Sequence, residues 1–416
     1  MVIVKSNSKK AIIAFSVFIA IILFIMIINV IVNKIENANS IPTLKISLKD
    51  ITLNEINNNS KKIKYKDNKI EITANNKKIN DTITIKGRGN STWNYPKKPY
   101  QIEFSNEVNL LGLGKSKKFV LLANYIDETL LRNDIAFYMA NKLNMPYVLR
   151  GKNVNLYIDD EYQGVYYLTN KVEISEGSLN LKNDNAILVE LDNIYFYQED
   201  YYVSNKYKDH LVIKDVKDKS LKQESILSFI NKYNKLEEAV TNHNWDEIIS
   251  LIDIDSLAKH HIIYELTRNG DAYRSSFFMY MDGNDDKIHF GPVWDFDMAF
   301  SNNNSKINEA NSKLPDGYNE SVIDDTYNKY SQVFYMLTNF DEFKRVIKDN
   351  WNEYMTNALY DIEKEIDNNY YLLNDVANKN IRKWDYEKKY SEYIVTFKED
   401  IESIYNSFSS FVANKY

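Results

Sequence analysis

Cysteine is absent from all 416 residues. Disulfides, thiolate catalysis and cysteine-ligated zinc or iron–sulfur centres are therefore excluded. Histidine is scarce, with five residues and no HExxH spacing. His260 and His261 lie side by side in a predicted helix, face apart, and read as ordinary structural residues. Glycine (11) and proline (6) are few, which disfavours flexible linkers. Neither GxxxxGK[ST] nor GxGxxG occurs, so the glycine-rich phosphate loops of the P-loop and dinucleotide-binding folds are missing. There is no internal repeat, and low complexity is confined to short Asn runs such as SNNNS at 301–305.

What is present is a globular chain with 44% hydrophobic and 26% charged residues, 32 Tyr and 19 Phe. Its length suits one large core or two smaller ones. Residues 11–32, AIIAFSVFIAIILFIMIINVIV, hold no charge and follow Lys5, Lys9 and Lys10. At about 1.5 Å per residue such a helix spans a hydrocarbon core of roughly 30 Å. The preceding lysines put the tail in the cytoplasm and the body outside. The expected organisation is a cytoplasmic tail 1–10, a single-pass membrane anchor 11–33, a linker 34–40 and an extracytoplasmic body 41–416 in the cell envelope or spore. A cleaved signal peptide is the rival, with only Ala38 and Ser40 suggesting a cleavage site. Three lysines and no acid in the first 33 residues leave −9 for residues 34–416, from −6 overall. An acidic body argues against nucleic acid as a partner.

Residues 41–104 read as strands. LKISL, KIEITA, TITIKG and YQIEF alternate apolar and polar with period two. DETLLRNDIAFYMANKLN, 127–144, reads as a helix capped by Asp127. NVNLYIDD and EYQGVYYLT form a hairpin, and AILVELDN, 186–193, is a further strand. Helices follow at 223–240 and 255–268, and helical periodicity dominates from about 320 to the end. Strands first and helices last is an α+β pattern, not alternating βαβ. Within the body, 41–215 is a strand-rich part with one helix, 216–310 the candidate catalytic region and 311–416 a helical part.

The unusual chemistry lies in GPVWDFDMAF, 291–300, where Asp295 and Asp297 interrupt an apolar run. SSFFMYM, DGNDD and KIHFGPVWDFD read as strand, turn and returning strand. A turn centred near residue 284 sets Asp271 opposite Asp297, and Asp295 and Asp297 then share one face of a strand. Clustered carboxylates require raised pKa values or a cation, and hard oxygen ligands suit Mg²⁺, Mn²⁺ or Ca²⁺. The competing reading pairs the acids with Arg268 or Arg274. A second stretch, GRGNSTWNYPKKPYQIEF at 87–104, gathers Arg88, Asn90, Ser91, Thr92, Lys97 and Lys98 around Trp93. It is either an anion-binding turn or a well-bonded structural one.

RGNSTW with KKPYQIEF, LLANYIDETLLRNDIA at 121–136, GVYYLTNKVEIS at 164–175 and GPVWDFDMAF occur in this order. Together they resemble the CotH family, the spore-coat-protein-H-type atypical protein kinases, from about residue 41 into the C-terminal helices. The resemblance implies a kinase-like fold, ATP and Mg²⁺ or Mn²⁺ as cofactors, and serine residues of a coat or envelope protein as substrate. It makes Asp295 a metal ligand and Asp271 the residue that orients the hydroxyl nucleophile. Ordinary kinases carry a metal-binding Asn five residues after that Asp; here Ser276 stands there, and Asp297 is the candidate replacement. Arg88, Asn90, Ser91, Lys97 and Lys171 are candidates for ATP binding, with Lys171 paired to Glu190. The alternative is a non-catalytic pseudokinase acting in envelope or spore assembly, with the Tyr-rich stretch 195–207 as a binding surface. A carboxylate-pair glycosidase fits poorly. Its two acids flank the scissile bond about 5–9.5 Å apart, and Asp295 and Asp297 are two residues apart on one side.

Overall fold

A computed structural model describes residues 40–302 and 330–416, apart from residue 284. The expected tail, the apolar run 11–33 and the linker up to residue 39 lie outside the described residues. Among the described residues no helix is long and apolar enough to cross a membrane. The α+β pattern is observed: the N-terminal part is rich in strands and the C-terminal part is helical.

Seven strands close into a barrel. They are β1 (Thr43–Ser47), β2 (Tyr65–Ala74), β3 (Lys77–Gly87), β4 (Tyr100–Asn109), β5 (Lys115–Leu122), β6 (Gly151–Ile158) and β7 (Glu161–Asn170). Their order is β1-β2-β3-β4-β5-β7-β6, and β1 completes the ring by pairing parallel with β6. Period-two alternation directs Leu44, Ile46, Ile70, Ile72, Ile83, Ile85, Ile102, Phe104, Phe119 and Leu121 into one buried cluster. Closure leaves no unpaired edge. Asp159 and Asp160, both at positive φ, make the tight turn between β6 and β7. The strand β7 is buried on both faces: Tyr166 and Leu168 join the barrel cluster, while Val165 and Tyr167 join the second core.

That second core surrounds an antiparallel sheet of β8 (Ile187–Leu191), β9 (Tyr201–Val203), β10 (His210–Val216), β11 (Phe277–Met281) and β12 (His289–Phe290), in the order β12-β11-β8-β10-β9. Around it pack α2 (Arg132–Lys142), α3 (Lys222–Thr241), α4 (Trp245–Leu251), α5 (Ile254–Leu266), α6 (Gln332–Leu337), α7 (Asp341–Asn350), α8 (Leu359–Trp384) and α9 (Tyr390–Lys415), while the short α1 (Leu53–Asn57) sits on the barrel. One apolar cluster runs from Val120 and Leu131 through Phe277 to Phe408 and Val412. Every residue of α5 from Ser256 to Leu266 is buried. His260 is enclosed by Tyr264 and Phe277, and His261 bonds Tyr273 and Tyr416, so both histidines serve packing.

Two local expectations are corrected. The helix expected at 127–144 covers only 132–142, because Leu130 has φ 60° and breaks the helical path. Asp127 still satisfies its start, accepting the Arg132 N–H at 3.0 Å and pairing with the Arg132 guanidinium at 2.6 Å. The hairpin of β11 and β12 forms one residue out of the expected register, with Met279 opposite Phe290, and its ladder does not reach Asp297. Pro292 has no N–H to donate, Gly291 has φ 129° and Asp295 has φ 70°. Asp295 and Asp297 therefore lie on an irregular segment, not on one face of a strand.

Candidate active site

The barrel and the second sheet enclose a cavity of about 610 Å³. The nine residues to which the resemblance gives a site role border it, namely Arg88, Asn90, Ser91, Lys97, Lys171, Glu190, Asp271, Asp295 and Asp297, whereas Lys98 and Arg268 do not.

The barrel wall is built by the turn after β3. Gly87 packs under Trp93, whose ring stands where a Cβ would lie, and Gly89 has φ 83°. Lys62 bonds the Gly89 carbonyl and Lys98 that of Trp93. The turn so fixed presents Arg88, Asn90, Ser91 and Thr92 to the cavity. The Arg88 guanidinium sits 5.6 Å from the Trp294 ring centroid. Burial lowers its pKa, and the charges of Asp295, Glu190 and Asp297 oppose that shift.

The facing wall carries the acids. Asp271 follows α5 in a loop where Asn269 accepts its N–H at 3.0 Å. Asn269 also donates to the Asp295 carbonyl at 2.9 Å, tying the two acidic segments together. Ser276 Oγ donates to Asp295 Oδ2 at 3.3 Å. Burial, then the charge of Asp271, pushes the Asp295 carboxyl up to about 6, against the pull of Arg88. The Asp297 carboxyl is held well above its ordinary range by burial and by Asp295 and Asp271. Two such carboxyls near neutral pH retain a proton or attract a cation.

The expected Lys171–Glu190 pair is not made. Lys171 lies 3.9 Å from Glu173, while Glu190 on β8 pairs with Lys214 on β10 at 2.8 Å. Lys214 also reaches Glu199 at 2.5 Å. Burial alone would depress its ammonium, but the two glutamates outweigh that and raise it. Lys214 escaped the sequence reading because it sits in a Tyr- and Lys-rich stretch with nothing local to mark it. Lys97 is also reassigned: it is fully buried, and its ammonium donates to the Val165 carbonyl at 2.5 Å and Asn380 Oδ1 at 3.0 Å. It ties the turn before β4 to β7 and α8, although its side chain borders the cavity. The competing pairing of acids with arginine is realised at one position, where Arg274 binds Asp271 at 2.6 Å.

A family model described as CotH kinase protein matches residues 85–407, most of the chain. The chain belongs to the CotH family. The match begins near the end of β3 and ends within α9, so it takes in both walls of the cavity and leaves β1 and β2 outside. No curated protein matches the chain.

Among the described residues no group of three or more His, Asp or Glu side chains is close enough to hold a metal ion alone. The donors at hand are Asp295, Asp297 and the Ser276 hydroxyl, all hard oxygens of the type Mg²⁺ and Mn²⁺ accept. Mg²⁺ is ordinarily held by one or two carboxylates, with other oxygens completing its shell, so the chemistry of this donor set suits such an ion.

Proposed function

We propose that this CotH-family chain is an ATP-dependent protein kinase, requiring Mg²⁺ or Mn²⁺, that phosphorylates serine residues of a spore-coat or cell-envelope protein. The observation that carries the reading is the division of charge across one cavity: Asp271, Asp295 and Asp297 on one wall, Arg88 on the other. Phosphoryl transfer needs positioning and charge neutralisation more than covalent chemistry, and this is the arrangement those tasks require.

On this reading Asp295, Asp297 and Ser276 would hold the ion, which neutralises phosphate charge when bound. Arg88 would contact phosphate directly, with Lys214 and Lys171 further along the cavity wall. Asn90 and Ser91 would supply hydrogen bonds from the turn. Asp271 would orient the serine hydroxyl and take its proton. The hydroxyl oxygen forms the new bond to the γ-phosphorus, the bond to the β–γ bridging oxygen breaks, and ADP leaves. The N-terminal apolar run would anchor this domain outside the cytoplasmic membrane, facing its envelope or coat acceptor.

One observation favours a second reading, a nucleotide-binding assembly protein without transferase activity: the Asp271 carboxylate is already engaged by Arg274. The discriminating experiment incubates the purified protein with γ-labelled ATP and Mn²⁺ or Mg²⁺, beside Asp295→Asn. Label on the chain or an added acceptor, absent in the variant, supports the kinase. ATP raising the melting temperature without label supports the assembly protein. Neither effect overturns both readings.

A further inference from the structure

The Asp271–Arg274 ion pair has an uneven geometry. Arg274 Nε and Nη2 both donate to Asp271 Oδ1, at 3.2 and 2.6 Å. A fork-to-fork pair would engage both carboxylate oxygens. Here Oδ2 accepts no hydrogen bond from any described residue, and Asp271 lines the cavity. The arginine is itself held from several sides. Its carbonyl accepts the Asn193 N–H at 2.7 Å, and its own N–H closes a turn onto the Asp271 carbonyl at 3.3 Å. Its guanidinium lies 5.4 Å from the Tyr330 ring centroid, and the Tyr330 hydroxyl donates to the Gly270 carbonyl at 3.0 Å. Tyr330 thus touches both the residue before Asp271 and the cation that binds it.

We infer that Arg274 is a positioning residue for phosphoryl transfer. It fixes the Asp271 carboxylate by one oxygen and leaves the other for the acceptor hydroxyl, and Tyr330 supports it from behind. The inference rests on the kinase reading above. It reverses the sense in which the ion pair counts against catalysis: the pair holds Asp271 in place and does not consume it. A base misplaced by about 1 Å can slow transfer on the order of 100-fold. Lysine keeps the charge without the planar fork, so it retains only part of the restraint.

The test compares the full chain with Arg274→Gln, Arg274→Lys and Tyr330→Leu in steady-state transfer from labelled ATP with Mn²⁺, on the same acceptor throughout. The expected result is a kcat lowered about 10–100-fold in Arg274→Gln with the KM for ATP within about twofold of wild type. Arg274→Lys recovers part of that loss, and Tyr330→Leu falls between Gln and wild type. An Arg274→Gln enzyme with unchanged or raised kcat overturns the inference while leaving the kinase reading intact. If glutamine fails to fold, Arg274→Lys decides: a lysine variant with wild-type melting temperature and wild-type kcat overturns the inference. A silent wild-type enzyme removes the kinase reading first, and this inference with it.

Discussion

Lys214 Nζ lies 2.8 Å from Glu190 across neighbouring strands, and this pair occupies the cavity wall where Lys171–Glu190 was expected. The exchange matters because the two lysines differ in setting. The Lys214 and Glu190 side chains are 15% and 10% exposed, whereas Lys171 is 33% exposed and stands 3.9 Å from its carboxylate. Removing one member of a buried pair strands the other charge and costs about 3–5 kcal/mol, while a loosely made pair contributes about 0–1 kcal/mol. Lys214→Met should therefore lower the denaturant midpoint strongly and weaken ATP binding, and Lys171→Met should barely move stability. Parallel urea titrations check the order; equal losses would show that the pair does not govern this wall.

Lys97 makes the opposite prediction. Its ammonium satisfies the Val165 carbonyl and Asn380 Oδ1, and Asn380 Oδ1 also accepts the Val165 N–H at 3.0 Å. Lys97→Met leaves buried acceptors short of a donor, each worth about 1–3 kcal/mol. Stability should fall by about 2–4 kcal/mol while the affinity for ATP, measured by calorimetry on the folded variant, stays within about twofold. A large loss of affinity without loss of stability would return Lys97 to the nucleotide site.

The strands of the barrel are legible because period-two alternation is a local signal, and Leu44, Ile70, Ile83 and Ile102 obey it. Closure of the barrel is not legible, since β1 meets β6 across more than a hundred residues and no local pattern marks that pairing. The acids gather as expected for a reason other than the expected one. The hairpin stops at Phe290, and the tie from Asn269 to the Asp295 carbonyl brings the two segments together. Side-chain direction is the least legible property. Lys97 and Arg88 are both cations flanking one tryptophan, yet one ammonium is consumed by the fold and one guanidinium lines the cavity.

His289 joins the hairpin to the start of α5. Its Nδ1 lies 3.0 Å from Asp253 Oδ2 and its Nε2 lies 3.0 Å from Asp285 Oδ1. Burial opposes its protonation, but the two carboxylates prevail and raise its pKa. A histidine with a raised folded pKa contributes stability that is complete below its unfolded value, roughly 6.5, and is lost as pH rises through the folded value. Asp253 and Asp285 are lowered, so their share is present above about 3.8 and lost as pH falls through their folded values. The melting-temperature gap between wild type and His289→Ala should be wider at about pH 5.5 than at about pH 8.5. A gap independent of pH would reduce the contact to packing.

Asp295 and Asp297 couple stability to the proposed metal. With the folded pKa of Asp295 pushed up to about 6, its contribution to stability is present below the unfolded value and lost as pH rises through about 6. Above about pH 6 the ionised Asp295 carboxylate opposes the metal-free fold, and Asp295→Asn should match or exceed wild-type stability without metal. An added divalent cation competes with the proton for the same oxygens. Mn²⁺ should therefore raise the wild-type melting temperature near pH 7.5, raise it much less near pH 5, and leave Asp295→Asn unmoved at either. Differential scanning fluorimetry with and without chelator reads all three. A Mn²⁺ shift of equal size in the variant would place the ion elsewhere and remove Asp295 from the metal site. A wild-type shift that is insensitive to pH would mean that carboxylates with raised pKa values are not its ligands.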